Sequence, residues 1–428
     1  MKKIELLNIE KQGRSIRYVF VYSDELSKYF TGEEFLLEYP ENIESVPNGV
    51  LAVPFVSNTL QISWLTDCEL IIPELDQDFY ESIPAFQKGF EKMFPETTFA
   101  GKLIIKNIVK NTPSGSGYTA AFFSGGLDAT TTLIRHFDEC PHLISIWGSD
   151  VDFNNVNGWG IVEKGLRETS EQYELPLAVI RSNFRRFDDS VVLTKDFQDT
   201  LKTSWWYGLK HGVGLIGHAA PYVWLHGIST VYIASSHCPE NGKIRCSSDP
   251  STDSKIAFCN CAVSHDAFEL NRQKKTRVLA DYHRNNPEMK IHLHVCYKSE
   301  DGVNCSNCEK CYRTMVGLWI EGADPYEYGF QYDQKVLKRM YECLALRGKS
   351  FSENWKHVQQ GLKDNWDVLE GTWYRDQLKW VLDFDFEHPE ENECRKKYRA
   401  SWKYKQKIID AFPRLYGLYI KFRGYRFE

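Results

Sequence analysis

The 428-residue chain has no uninterrupted apolar run of about 18 residues, so no conventional membrane-spanning helix is expected. Its start, MKKIELLNIEKQ, is basic but lacks an apolar centre, and does not read as a signal peptide. No internal repeat and no low-complexity tract is visible. No global excess of positive charge announces nucleic acid, because the formal charge is -6. The two common nucleotide loops, Gly-x-x-x-x-Gly-Lys-Ser/Thr and Gly-x-Gly-x-x-Gly, are absent where a phosphate loop would be sought. With no export signal, the 12 cysteines are read in a reducing, cytoplasmic setting. There they argue for metal ligation, reactive thiols or buried small side chains before disulfides.

What is present is ordinary for a globular protein: 42% hydrophobic and 26% charged residues. That composition excludes general disorder, collagen and a disulfide-stapled miniprotein. Aromatics reach 14%, a high share that fits densely packed rings or a partner site. At about 150 residues per domain the length predicts two to three domains.

Three regions are expected. Residues 1–110 hold strand-like segments at 3–9, 16–22, 49–56 and 102–109, with 17 acidic against 11 basic residues, and read as a mostly β accessory domain. A Pro/Ser/Gly-rich linker at 111–118 introduces the second region, 111–320, where strands and helices alternate. Strands are expected at 119–123, 143–147, 177–180, 230–234 and 291–295. Helices are expected at 129–137, 159–173, 205–225 and 274–282. The alternation predicts an α/β fold, a parallel sheet with helices on both faces. Residues 321–428 read as mainly helical, with helices at 333–346 and 353–363. From Cys394 onward there are 11 Lys or Arg and two acidic residues.

Two motifs carry chemistry. Ser124-Gly125-Gly126-Leu127-Asp128-Ala129-Thr130 lies between the first α/β strand and its helix. Paired glycines allow close backbone approach, and turn amides plus a helix N-terminus form an anion cradle. Ser124 adds a hydroxyl, and Asp128 suits Mg²⁺ or a helix-start cap. The competing reading is a plain strand–helix turn. Asp150 ends the second strand, on the ligand side of such a sheet, and is either a ribose, adenine or water-held Mg²⁺ contact or a solvated turn acid. Lys275 is either a phosphate-neutralising lysine or an exposed helix residue.

The second motif is Cys296, Cys305, Cys308 and Cys311, spaced Cys-x8-Cys-x2-Cys-x2-Cys. Four thiolates suit closed, structural Zn²⁺. An iron–sulfur cluster and unmetallated thiols compete with that reading. Lys310 and Arg313 would temper the thiolate charge. Cys238, Cys246, Cys259 and Cys261 form a looser set that could build a second site.

The loop resembles the pyrophosphate loop of the N-type ATP pyrophosphatase (PP-loop) superfamily, usually Ser-Gly-Gly-x-Asp-Ser. Ser124, Gly125, Gly126 and Asp128 match, whereas Ala129 replaces the usual Ser or Thr, with Thr130 and Thr131 as substitute hydroxyls. Loop and cysteines together, in this order, resemble 7-cyano-7-deazaguanine synthase over about half the chain. The resemblance implies an adenine nucleotide alpha hydrolase-like fold, ATP and Mg²⁺ as cofactors, and zinc in a structural role. Ser124, Asp128 and Lys275 would be catalytic. The implied ligase adenylates a carboxylate, 7-carboxy-7-deazaguanine or a relative, and passes it to an amine. A homodimer is compatible with the family.

The chain departs from the family in carrying long extensions at both ends, and in Gly148-Ser149-Asp150 and Ser235–Asp253, where Ser251, Thr252 and Asp253 are candidate substrate contacts. Enlarged, diverged homologues occur in bacterial anti-phage gene sets. A protein amine is therefore expected as acceptor ahead of free ammonia, which would yield the nitrile. A tRNA-modifying PP-loop enzyme and a catalytically inactive nucleotide-binding partner protein rank behind both. The basic tail, Arg395 to Lys405 with Arg414, Lys421, Arg423 and Arg426, is read first as a solvated, internally paired face, then as a protein- or nucleic-acid-docking surface.

Overall fold

The computed structural model describes all residues except 1, 114, 116, 297–302, 349 and 412–428, with backbone alone at 402 and 404–411. The protein is α/β. Eleven strands form one sheet: β1 (Lys3–Gln12), β2 (Ser15–Tyr22), β3 (Phe35–Glu38), β4 (Glu69–Asp76), β5 (Lys102–Val109), β6 (Tyr118–Phe122), β7 (His142–Trp147), β8 (Leu177–Ser182), β9 (Ile228–Ala234), β10 (Ala257–Phe258) and β11 (Cys261–Asp266). Their order is β10-β11-β9-β6-β7-β8-β3-β2-β1-β4-β5. Pairing is parallel through β11-β9-β6-β7-β8 and through β1-β4-β5.

Central strands are apolar on both sides because both sides are covered. Ile144, Ile146, Ala178 and Ile180 enter one core with Val213, Ile216, Ala219 and Val223. Leu143 turns the other way, toward Leu133, Trp159, Val162 and Leu166. Residues of helices therefore pack against opposite faces of the same strands.

Residues 1–110 do not stand outside this sheet. β3 pairs antiparallel with β8, Leu37 opposite Ser182 and Glu38 opposite Arg181. Nor are they mostly β. The expected strand at 49–56 is helical, in Asn48–Leu51 and Val53–Thr66, and a further helix spans Gln77–Met93. A short apolar run fits a buried helix as well as a strand. Here Pro54 sits in the first turn, where its missing N–H costs nothing. The polar residues that follow are buried and bond inward: Thr59 Oγ1 donates to Phe55 O at 2.9 Å and Gln61 Nε2 to Ser57 O at 3.1 Å.

The long helix expected at 205–225 is broken into a π turn at Trp206–Lys210, helix Val213–Ile216, a 3-10 turn at Gly217–Ala219 and helix Ala220–His226. Close packing on Val53–Thr66 explains the small residues there. A Cβ on Gly214 would lie 2.8 Å from Asn58 Oδ1, and one on Gly217 would overlap Ser57 Oγ. The strand expected at 291–295 forms no regular element and lies outside the sheet. Its Leu293 N–H donates to Tyr328 O at 3.1 Å and its Val295 N–H to Asn304 Oδ1 at 3.0 Å.

The chain divides into two compact units, residues 1–304 with 327–329, and residues 305–326 with 330–428. The boundaries expected at 110/111 and 320/321 differ from these. The second unit is built from helices, among them Glu309–Ile320, Val336–Tyr341, Trp355–Asp364, Arg375–Asp383 and Glu393–Ala411. Arg395, read as part of a basic surface, is 1% exposed and donates to Leu344 O (2.9 Å) and Ala345 O (3.1 Å). Arg399 pairs with Glu390 at 2.7 Å. Arg414, Lys421, Arg423 and Arg426 lie outside the described residues.

Gly148, at the end of β7, has φ +113, and an added Cβ would overlap Ser182 O. Gly148→Ala is expected to destabilise the protein by roughly 2–4 kcal/mol, through backbone strain and steric overlap, in urea unfolding.

Candidate nucleotide-binding loop and cysteine cluster

From β6 the chain proceeds to β7 and β8 on one side, and later places β9 on the other. The carboxyl end of β6 is thus a topological switch point, where ligands of open α/β sheets bind. The segment Ser124–Asp128 starts there. Ser124 is exposed while Gly125 is buried. Gly125 takes φ +71, a conformation glycine adopts without cost, and its carbonyl accepts from His294 N–H at 2.7 Å. Gly126 N–H points to Ser124 Oγ at 3.4 Å. Gly126 is the N-cap of helix Leu127–Arg135, whose positive end faces the turn.

Asp128 is not that helix's cap. Its Oδ2 accepts from Arg272 Nη1 at 2.8 Å and its Oδ1 from Lys275 Nζ at 3.2 Å. Lys275 Nζ also donates to Ser235 O, just beyond β9. Both cations project from helix Arg272–Asn285, which Asn271 Oδ1 caps by accepting from Lys274 N–H at 3.0 Å. Lys275 is 2% exposed and Arg272 6%, so Lys275 is no surface helix lysine. Two buried cations therefore meet one carboxylate beside the loop. Arg272 is absent from the residues expected at the site. Its position one turn before Lys275, on the same helix face, is the signal that could have found it.

The remaining candidates lie differently. Thr130 and Thr131 do not replace the missing hydroxyl at Ala129. Their Oγ1 atoms donate back to Gly126 O and Leu127 O, both at 2.9 Å, and both residues are buried. Ala129 is itself buried. Asp150 is exposed at the end of β7, and its charge acts on Arg185 and His211. Among the described residues, Asp128 and Asp150 belong to no cluster able to hold a cation.

Ser251, Thr252 and Asp253 form an internal turn. Thr252 and Asp253 are fully buried, and Ser251 Oγ donates to Asp249 Oδ1 at 2.6 Å. Asp253 Oδ2 accepts from Ser248 Oγ at 2.7 Å and meets His265 Nδ1 at 2.9 Å. His237, after β9, lies 2.6 Å from Tyr207 OH through Nε2 and feels the charges of Asp128 and Lys275. Burial pushes His237 down to about 4. Sequence reasoning does not single out these histidines. They converge from β9, β11 and a loop, with no linear spacing to reveal them.

The sulfur atoms of Cys296, Cys305, Cys308 and Cys311 all lie within 4.8 Å of one another. Cys305 Sγ and Cys311 Sγ are 3.9 Å apart. A zinc–thiolate tetrahedron with bonds near 2.3 Å requires sulfurs about 3.8 Å apart. The group could therefore hold zinc. Cys308 is the N-cap of helix Glu309–Ile320, and Cys311 follows within its first turn. Arg313 turns to Glu309 at 2.8 Å, and the same Oε1 accepts from Trp355 Nε1 at 2.7 Å. Among the described residues, Cys238, Cys246, Cys259 and Cys261 do not come together as one group of ligands. Cys238 Sγ faces Asn241 Oδ1 at 3.0 Å, and burial raises Cys246 to about 12.

Compared with known proteins, the chain matches no family model, and no curated protein matches it.

Cys308→Ser is expected to lower zinc content and folded yield, and Asp128→Ala to leave zinc content unchanged, as read by metal analysis of purified protein. The buried His218 and His237 both sit at about 4, below the ordinary value near 6.5. Unfolded chains take up protons first, so stability present above about pH 6.5 declines as the pH falls toward 4. His237→Gln should flatten part of that decline in urea titrations at pH 7 and pH 5.

Proposed function

We propose that the protein is an ATP-dependent ligase of the PP-loop type, which cleaves ATP between the α and β phosphates to activate a carboxylate. The observation that carries this reading is the glycine turn at the switch point, open at Ser124 and backed by Arg272 and Lys275. Its backbone amides, the Ser124 hydroxyl and the two cations would bind the β and γ phosphates. A carboxylate is a poor acyl donor, since its leaving group would be hydroxide. The adenylate carries a good one. Charge builds on pyrophosphate as it departs, and preorganised donors lower that barrier. With Ala129 at the usual hydroxyl position, the grip rests on backbone and cations.

The substrate we assign by resemblance is 7-carboxy-7-deazaguanine or a related 7-deazaguanine carboxylate, with an amine, preferentially on a protein, as acceptor. Zinc would be held by Cys296, Cys305, Cys308 and Cys311. Four thiolates leave no open position for water, so its contribution is folding free energy, not catalysis.

The test is pyrophosphate exchange into ATP by the zinc-loaded full chain. Exchange dependent on 7-carboxy-7-deazaguanine is expected, and Lys275→Met should reduce it about 10²–10³-fold, the effect of removing one preorganised charge donor. The mass of the product separates nitrile, free amide and protein adduct. Absence of carboxylate-dependent exchange together with absence of ATP binding would overturn the reading.

A further inference from the structure

We propose that His237 is the base of the acyl-transfer step, taking the proton of the attacking amine at its Nδ1 atom. This inference rests on the carboxylate-activation reading and concerns the second half of that reaction. His237 follows β9 at the carboxyl end of the sheet, on the same side as the glycine turn. Two residues before it, Ser235 O accepts from Lys275 Nζ, which also bonds Asp128. The charges of Asp128 and Lys275 both reach the His237 ring. The imidazole is half-buried beside the clasp.

One ring nitrogen is committed and the other is not. Nε2 lies 2.6 Å from Tyr207 OH, whereas Nδ1 has no hydrogen-bond partner among the described residues. The Tyr207 hydroxyl also interacts with Cys246. With the hydroxyl proton turned to that sulfur, the phenol oxygen accepts from Nε2–H, and Nδ1 carries the lone pair. Tyr207 is placed by the π turn at Trp206–Lys210, an irregularity found frequently at functional sites.

Folding stability does not explain the surroundings. His211 follows the same π turn, and His265 Nδ1 lies 2.9 Å from Asp253 Oδ2. Both histidines act electrostatically on His237. His211 Nδ1, His265 Nε2 and Asp253 Oδ1 are buried without a hydrogen-bond partner among the described residues. Each such atom costs stability, and three around one imidazole mark a place kept for chemistry.

In the transfer, the amine nitrogen attacks the acyl carbon of the adenylate and the C–N bond forms. The C–O bond to AMP breaks, and AMP leaves with the electron pair. The proton of the attacking nitrogen passes to His237 Nδ1 and from there to solvent. Burial keeps His237 neutral at pH 7, so Nδ1 is unprotonated. The N–H of the tetrahedral adduct is far more acidic than a free ammonium, so a weak base suffices.

The experiment separates the two half-reactions in the zinc-loaded full chain. Adenylation is read by pyrophosphate exchange with 7-carboxy-7-deazaguanine, and transfer by product mass with ammonium chloride as the probe amine. His237→Gln should lower transfer roughly 10²–10⁴-fold and exchange less than about threefold. His237→Asn is the second variant, with the same expectation. Concentrated hydroxylamine attacks activated acyl groups unassisted, and should still give the hydroxamate in both variants. Tyr207→Phe should lower transfer about tenfold, the effect of losing one positioning hydrogen bond. Circular dichroism checks that each variant is folded. Unchanged transfer in a folded His237 variant, or exchange and transfer falling in proportion, would overturn the proposal. Absence of exchange in the unsubstituted chain would overturn carboxylate activation itself, and this step with it.

Discussion

The clasp of Arg272 and Lys275 on Asp128 is the contact on which the candidate site depends. It ties the first turn of the helix after β6 to the helix following β11, and, through Ser235 O, to the end of β9. Burying two cations and a carboxylate is costly, and removing one partner leaves the others uncompensated. The cluster joins three elements at the switch point of the sheet, with both cations bonded to the one carboxylate. The clasp lies in the first helical turn after the glycine turn. An ordinary strand–helix turn needs neither the two buried cations nor the paired glycines.

The surrounding histidines reinforce the same side of the sheet. His237 is kept neutral by burial, and Asp253 is held by Ser248 and His265. A neutral imidazole next to the clasp adds donor and acceptor capacity without adding charge. The sheet's continuation through β3 gives this region a rigid flank, since β8 is paired on both sides.

Part of this structure is legible in the sequence. The glycine turn and the cysteine spacing are local patterns, and local patterns survive without tertiary context. The parallel order of β6, β7, β8 and β9 follows from the alternation of strands and helices. The misreadings have physical causes. Residues 49–56 are apolar throughout, so their period could not separate strand from buried helix. β11 ends in Ser264, His265 and Asp266, polar residues that belong to the site side and conceal the strand. Residues 291–295 are as apolar as a strand but direct their hydrogen bonds to Tyr328, Asn304 and the glycine turn. Arg272 is readable from helix periodicity, whereas the meeting of His237, Asp253 and His265 depends on chain topology.

In the proposed reaction, the turn at Ser124–Asp128 would grip the phosphates that leave. That proposed grip is tested most directly by ³¹P NMR of the nucleotide products after the zinc-loaded chain is incubated with ATP and 7-carboxy-7-deazaguanine. AMP and pyrophosphate are expected in equal amounts; ADP and orthophosphate would contradict cleavage between the α and β phosphates.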